Sequence, residues 1–286
     1  MKKIWSCDGG GVRGLLPLYI MLKQYGPDFR PLERYNLFAG TSAGALIAGC
    51  FAQGQILSDV IQLFENALPL IFRRNWSFPI FSKTKFSGAG IDRVLKELFG
   101  ARCLGDLKCG LIVTTYSTRR RKPTYFKDTD DKDILIRDAL RASMAAPVYF
   151  PWHSFTDPDG VEDTYTDGGV TGNNDPAMIA YNEARTFRQW EGQLILDSYG
   201  TGRYWRPGHH GEPWAILAKV FQAVLQPLFS GSSDNIQQAL ISQARTDTDL
   251  VYNRFNPALP CDIGLDDVSQ KDNLRIIAED YWNGMF

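Results

Sequence analysis

Histidine is scarce in this 286-residue chain, which holds only His153, His209 and His210. No His-rich metal-ligand spacing is present, and an enzyme built on a histidine base has few places to keep one. Cysteine is little help: Cys7, Cys50, Cys103, Cys109 and Cys261 are odd in number, scattered, and lack a CxxC pair. That spacing argues against a disulfide framework or a zinc site. Long apolar runs are missing too. The longest, Leu15 to Leu22, contains Pro17 and is far shorter than the ~20 residues of a membrane span. An excess of one charge is also absent, since 31 basic residues face 32 acidic ones. No global field draws in nucleic acid or an anionic bilayer, so any membrane contact has to be local and peripheral. Met1-Lys2-Lys3 opens onto an apolar run that stops at Asp8, too short for a signal peptide. The expectation is a reducing, cytoplasmic setting, although a secreted effector exported without a leader has the same signature.

What is present is core. The chain is 44% hydrophobic and 13% aromatic, enough for one α/β unit over residues 1–286. Ile4 to Cys7 reads as a buried strand, followed by Gly9-Gly10-Gly11 and an apolar helix over about Leu15 to Gln24. The plan recurs: a strand over Tyr35 to Ala39, the turn Gly40-Thr41-Ser42-Ala43-Gly44, and a small-residue helix to about Ala52. A helix over about Ile91 to Phe99 shows one apolar face and stops at Gly100. Cys109 to Tyr116 reads as a central strand, and Arg119 to Pro123 as a hairpin tip leading into Thr124 to Phe126. Asp133 is placed to cap a helix running to about Ala146, and Tyr165-Thr166 leads into Asp167-Gly168-Gly169. A strand spans Leu194 to Tyr199 and ends at Gly200-Thr201-Gly202. The motif-bearing part thus covers about 2–202. A helical part covers about 213–286, and its last helix starts near Ser269 with Leu274, Ile277, Ala278 and Tyr281 on one stripe. Strands alternating with helices predict a mostly parallel sheet covered on both faces, with the site at the carboxyl ends of the strands.

Ser42 lies in a G-x-S-x-G turn between a strand and a helix, a geometry that lifts a hydroxyl clear of the fold, with Gly40 and Gly44 making room. Gly9-Gly10-Gly11-Val12-Arg13-Gly14 satisfies the dinucleotide-binding G-x-G-x-x-G. The acidic residue that would grip a ribose is misplaced, because Glu33 precedes the second strand. As an oxyanion hole the loop fits better: Gly9, Gly10 and Gly11 let N–H groups approach an oxyanion, with Arg13 as reinforcement. Asp167, followed by Gly168 and Gly169, is a strand-end carboxylate facing a ligand or simply a turn residue. Asp128 to Asp133 fails as a calcium loop because Lys132 sits at a ligand position. Arg73, Arg74, Trp76, Phe78, Phe81, Lys83, Lys85 and Phe86 interleave rings and cations, as an interfacial lid does, or pack locally.

With Asp8-Gly9-Gly10-Gly11-Val12-Arg13-Gly14, then Gly40-Thr41-Ser42-Ala43-Gly44, then Asp167-Gly168-Gly169, the sequence resembles the patatin-like phospholipase family. Ala145 to Pro151, Asn173-Asn174-Asp175-Pro176 and Gly200-Thr201-Gly202 also look like that family's landmarks. The resemblance implies a three-layer α/β/α sandwich and a Ser-Asp dyad, here Ser42 and Asp167. It implies Gly10 and Gly11 as oxyanion donors and release of fatty acid from phospholipid, lysophospholipid or related acyl esters. No metal or cofactor is implied. It also admits an activator, since some bacterial patatin-like proteins are defence effectors switched on by a nucleotide signal. Two rivals stay open: a Ser-His-Asp α/β-hydrolase drawing on His209 or His210, and a non-catalytic module gripping nucleotide or lipid phosphate.

Overall fold

The computed structural model describes residues 1–73, 84–204 and 218–284. In chain order the elements are β1 (Lys2–Cys7), α1 (Leu15–Tyr25), α2 (Pro31–Arg34), β2 (Leu37–Gly40), α3 (Ala43–Ala52) and α4 (Leu57–Ile71). There follow α5 (Ala89–Phe99), β3 (Gly110–Ser117), β4 (Lys122–Lys127), α6 (Ile136–Ser143), β5 (His153–Thr156) and β6 (Glu162–Asp167). The chain continues with α7 (Ala177–Asn182), β7 (Leu194–Tyr199), α8 (Ala218–Thr246), β8 (Leu250–Phe255) and α9 (Lys271–Trp282). One sheet runs β5-β6-β3-β2-β1-β7-β8, with β4 paired to β3 off that path. The pairs among β3, β2, β1, β7 and β8 are parallel, and those of β4, β5 and β6 are antiparallel.

Successive strand side chains point to opposite faces, so a sheet covered on both sides needs apolar residues at odd and even positions alike. That pattern is met here. Trp5, Phe38, Leu111 and Val113 enter the core shared with α1, α3, α4, α5, α6 and α9. Ile4, Leu37, Ala39, Ile112 and Leu196 enter the opposite core with α7 and α8. The result is a three-layer α/β/α sandwich. Its inner helix α3 has every residue buried, because Ala and Gly let its backbone press against the sheet.

The structure departs from the sequence expectations in three places. Asp133 caps nothing: Leu104 N–H donates to Ile134 O (2.9 Å) and Cys103 bridges Leu135, which holds that segment extended until α6 begins at Ile136. Asp267, rather than Ser269, organises the start of the last helix by accepting from Ser269 N and Oγ (3.2 and 2.6 Å). The part expected to be helical also contains β8, parallel to β7 along its length. Its polar Asn253 and Arg254 hide the strand pattern, and both are used: Asn253 Nδ2 donates to buried Asp197 at 2.8 Å.

The register around β3 sets up the site. β4 pairs with β3 from Ile112 to Ser117, so it fills one edge of that strand. β2 and β6 must therefore share the other edge. β2 ends with Gly40 opposite Val113, and β6, running the opposite way, ends with Asp167 opposite Thr115. The two strand ends meet at Thr114, whose hydroxyl is 2.6 Å from that of Thr41. A Cβ on Gly168 would lie 2.7 Å from the Thr114 carbonyl carbon. Gly168→Ala is expected to lower the urea midpoint markedly by forcing β6 off β3. Gly231→Ala on α8, whose Cβ meets nothing within 4 Å, is expected to be neutral or to stabilise by about 0.5–1 kcal/mol. Urea denaturation of both variants checks the pair.

Candidate active site

Ser42 sits between β2 and α3 with φ 54° and ψ −120°, a conformation that costs a non-glycine residue about 1–3 kcal/mol. The surroundings impose it. A Cβ at Gly40 would meet the Ala45 backbone at 2.5 Å, and one at Gly44 would meet the Asp8 carbonyl oxygen at 2.6 Å. The Ser42 N–H donates to Ser143 Oγ (2.8 Å), a fully buried hydroxyl at the end of α6. This fixes the backbone of the turn and leaves the half-buried Ser42 side chain free to face a cavity.

Across the shared edge of β3, the buried carboxylate of Asp167 shares the cavity floor with Ser42 and accepts a hydrogen bond from Gly169 N–H at 2.9 Å. Burial raises its pKa to about 6, and the neighbouring Gly169 N–H and Ser42 hydroxyl only partly oppose the rise. Among the described residues, no cation appears among the influences on this carboxylate.

The glycine loop arrives from β1. Gly9 N–H is spent on Asn174 O at 3.2 Å, so Gly9 is a spacer rather than a donor. A Cβ there would be 3.2 Å from Ser42 Cβ and 2.7 Å from Asn174 Oδ1. Gly11 has φ +57° and its Cα faces the Leu265 carbonyl. The Gly10 and Gly11 N–H groups meet no acceptor among the described residues. Arg13 is elsewhere: its backbone N–H donates to Gly10 O at 3.1 Å, and its side chain does not line the cavity. Burial lowers the Arg13 pKa, with Asp262, Tyr149 and Asp8 opposing.

These pieces open on one cavity of about 660 Å³, its mouth included. Gly9, Gly10, Gly11, Ser42, Asp167 and Asn174 form its polar floor. Leu46, Phe64, Ala67, Leu68, Ile71, Phe72, Met144, Tyr149 and Phe150 form apolar walls, with Phe72, Phe86 and Phe150 packed at centroid distances of 5.3 to 5.8 Å. A floor with a serine hydroxyl, a buried carboxylate and two N–H groups uncommitted among the described residues, under walls suited to a hydrocarbon chain, has the groups that acyl transfer draws on.

A sequence model of the patatin-like phospholipase family matches residues 6–181. This chain belongs to that family. The Patatin-like protein 1 of Oryza sativa subsp. indica is 26% identical over 95% of this chain and 78% of its own length. The Patatin-like protein 2 of Arabidopsis thaliana is 31% identical over 63% of this chain and 52% of its own. Among solved structures, VipD from Legionella pneumophila gives a TM-score of 0.49 at 12% identity, covering 99% of this chain and 67% of that one. Membership places this patatin-like phospholipase among lipid acyl hydrolases.

Of the residues singled out in the sequence, the fold brings together Ser42, Asp167, Gly9, Gly10 and Gly11. Gly40, Gly44 and Gly168 are packing contacts behind them, Gly169 donates to Asp167, and Arg13 stands apart. His153 is bound to Asp138 (3.0 Å) away from the cavity. His209, His210, Arg74, Trp76, Phe78, Phe81 and Lys83 lie outside the described residues. Phe86 is core. Sequence reasoning missed Ser143 and Arg254, and passed over Asn174 as only a landmark. Ser143 has a polar residue on an otherwise apolar helix face as its sole signal.

The raised pKa of Asp167 has a stability consequence. Between its ordinary value near 3.8 and about 6, the folded state holds a proton that the unfolded state has lost, so stability falls as pH rises through that window. Asp167→Asn is expected to raise the melting temperature at pH 8, by up to about 3 kcal/mol in stability, and to gain little at pH 4. Thermal unfolding of both proteins at the two pH values checks this, and an equal gain at both would contradict it.

Proposed function

We propose that this protein cleaves acyl esters of phospholipids or lysophospholipids through a Ser42 acyl-enzyme, with Asp167 as the base. Asp167 takes the Ser42 proton as Oγ attacks the ester carbonyl. The carbonyl oxygen gains negative charge in the tetrahedral intermediate and is met by the Gly10 and Gly11 N–H groups. The intermediate collapses, the proton passes to the departing alkoxide, and the alcohol leaves. Water then gives its proton to Asp167 as it attacks the acyl-enzyme, and fatty acid is released. The acyl chain lies between Phe64, Leu68, Ile71 and Phe150.

The observation that carries this reading is the placement of Ser42 and the buried carboxylate of Asp167 together on the floor of an apolar cavity. A carboxylate at its ordinary pKa is a poor base for a hydroxyl, and the shift to about 6 narrows that gap. Among the described residues no histidine lines the cavity, and His209 and His210 lie outside them. No helix among the described residues is long and apolar enough to cross a membrane. We place the protein at a lipid surface, because exposed Leu70 and Trp152 stand one and two residues along the chain from the cavity-lining Ile71 and Phe150.

Fatty-acid release from mixed phospholipid and lysophospholipid vesicles should be lost in Ser42→Ala and fall at least about 10³-fold in Asp167→Asn. A fluorophosphonate should label Ser42 in the wild type; absence of the adduct together with absence of release would sink the proposal. For the wild type, kcat/KM should rise tenfold per pH unit below about 6 and level off above it, as the base loses its proton. A profile still climbing from pH 7 to 8 would point to a different base.

A further inference from the structure

Arg254 belongs to β8, outside the stretch matched by the family, and it reaches back under the glycine loop. Its Nη1 and Nη2 donate to the two oxygens of Asp8 at 2.7 and 2.6 Å, a bidentate fork. Nη1 also donates to Ser198 Oγ at 2.7 Å and lies 3.1 Å from Asp175. Ser233 Oγ adds a bond to Asp8 at 3.0 Å. Asp8 and Asp175 are both buried, and Arg254 is the cation between them. Burial works against its charge, but Asp175 and Asp8 outweigh that and raise its pKa; burial likewise raises the pKa of Asp175, against the pull of Arg254.

Asp8 immediately precedes Gly9-Gly10-Gly11. Three successive glycines have a large conformational freedom to lose, so their path is set by their anchors. Downstream, Val12 N–H donates to Leu265 O at 2.8 Å; in between, Thr201 Oγ1 donates to Gly9 O at 2.9 Å. Upstream the anchor is Asp8, both oxygens of which Arg254 holds. We infer that Arg254 is a positioning residue: by clamping Asp8 it holds the Gly10 and Gly11 N–H groups where the oxyanion forms over Ser42. This rests on the acyl-transfer reading above for its effect on turnover, though not for its effect on the loop.

A guanidinium fork fits the two Asp8 oxygens in a way an ammonium does not. Simple removal of the cation strands two buried carboxylates and threatens folding. The test therefore uses Arg254→Lys together with the pair Arg254→Met/Asp175→Asn, which keeps the single net negative charge of the wild-type cluster. Each variant is measured for kcat and KM on phospholipid vesicles and for amide hydrogen exchange in the peptide covering residues 8–14. The expected result is a kcat about 10²-fold lower with KM within about threefold, and exchange in that peptide about tenfold faster while α3 stays protected.

A kcat within about threefold of wild type in either folded variant overturns the inference. So does a loss of kcat without loosening of the loop, since Arg254 would then act by charge alone. A wild type that releases no fatty acid sinks the proposed reaction instead, and the exchange measurement still decides whether Arg254 holds the loop.

Discussion

The site depends on one edge of one strand. Because β4 occupies the far edge of β3, two chain segments separated by well over a hundred residues must end on the near edge. They run in opposite directions, and the room between Val113 and Thr115 is a single residue. Strand rise is about 3.3 Å per residue, so the two ends come within side-chain reach of each other at Thr114. Everything near that point is small or doubly bonded. Thr41 and Thr114 share a hydroxyl contact, Thr41 Oγ1 donates to Asn173 O at 2.8 Å, and Gly168 leaves no side chain against Thr114. Ser42 and Asp167 are each one step from this junction, which is why a rigid sheet rather than a flexible loop sets their separation.

The fold treats its buried carboxylates in two ways. Asp8 and Asp175 share a guanidinium and are held as structure. Asp167 meets no cation among the described residues and lies under an apolar ceiling, and burial raises its pKa to about 6. The contrast separates carboxylates fixed by a shared cation from one that faces the cavity. The unpaired arrangement costs stability above about pH 6, and the strained φ of Ser42 adds to that cost. Burial of α3 and the packing of Gly40 and Gly44 hold the strained turn in place.

The chain also divides its labour unevenly. The family match ends at residue 181, yet the strand that braces the glycine loop is Leu250–Phe255, and Leu265 supplies both the carbonyl that receives Val12 N–H and part of the cavity lining. The late segments close the sheet edge beyond β7 and reach back to residues 8–12.

Much of this was legible in the sequence because it is local. The alternation of strands and helices, the limits of β7, the small-residue turn around Ser42, the glycine run and the Asp167-Gly168-Gly169 strand end each follow from neighbours in the chain, through period, propensity and steric room. Even there, caps misled: Asp133 reads as a helix start, and a bond from Leu104 to Ile134 keeps the chain extended past it. What the sequence did not contain is any statement of distance between remote parts. That Asp167 faces Ser42 follows from the register of β6 on β3. That Gly9 is spent on Asn174 follows from residue 174 passing beside residue 9, and that Arg13 turns away from the cavity follows from the path of the loop. Arg254 in β8 looks like a solvated charge until two buried acids are placed against it. Local sterics determined the turns and the elements; only the tertiary structure decided which polar groups were already committed to partners and which were left over for chemistry.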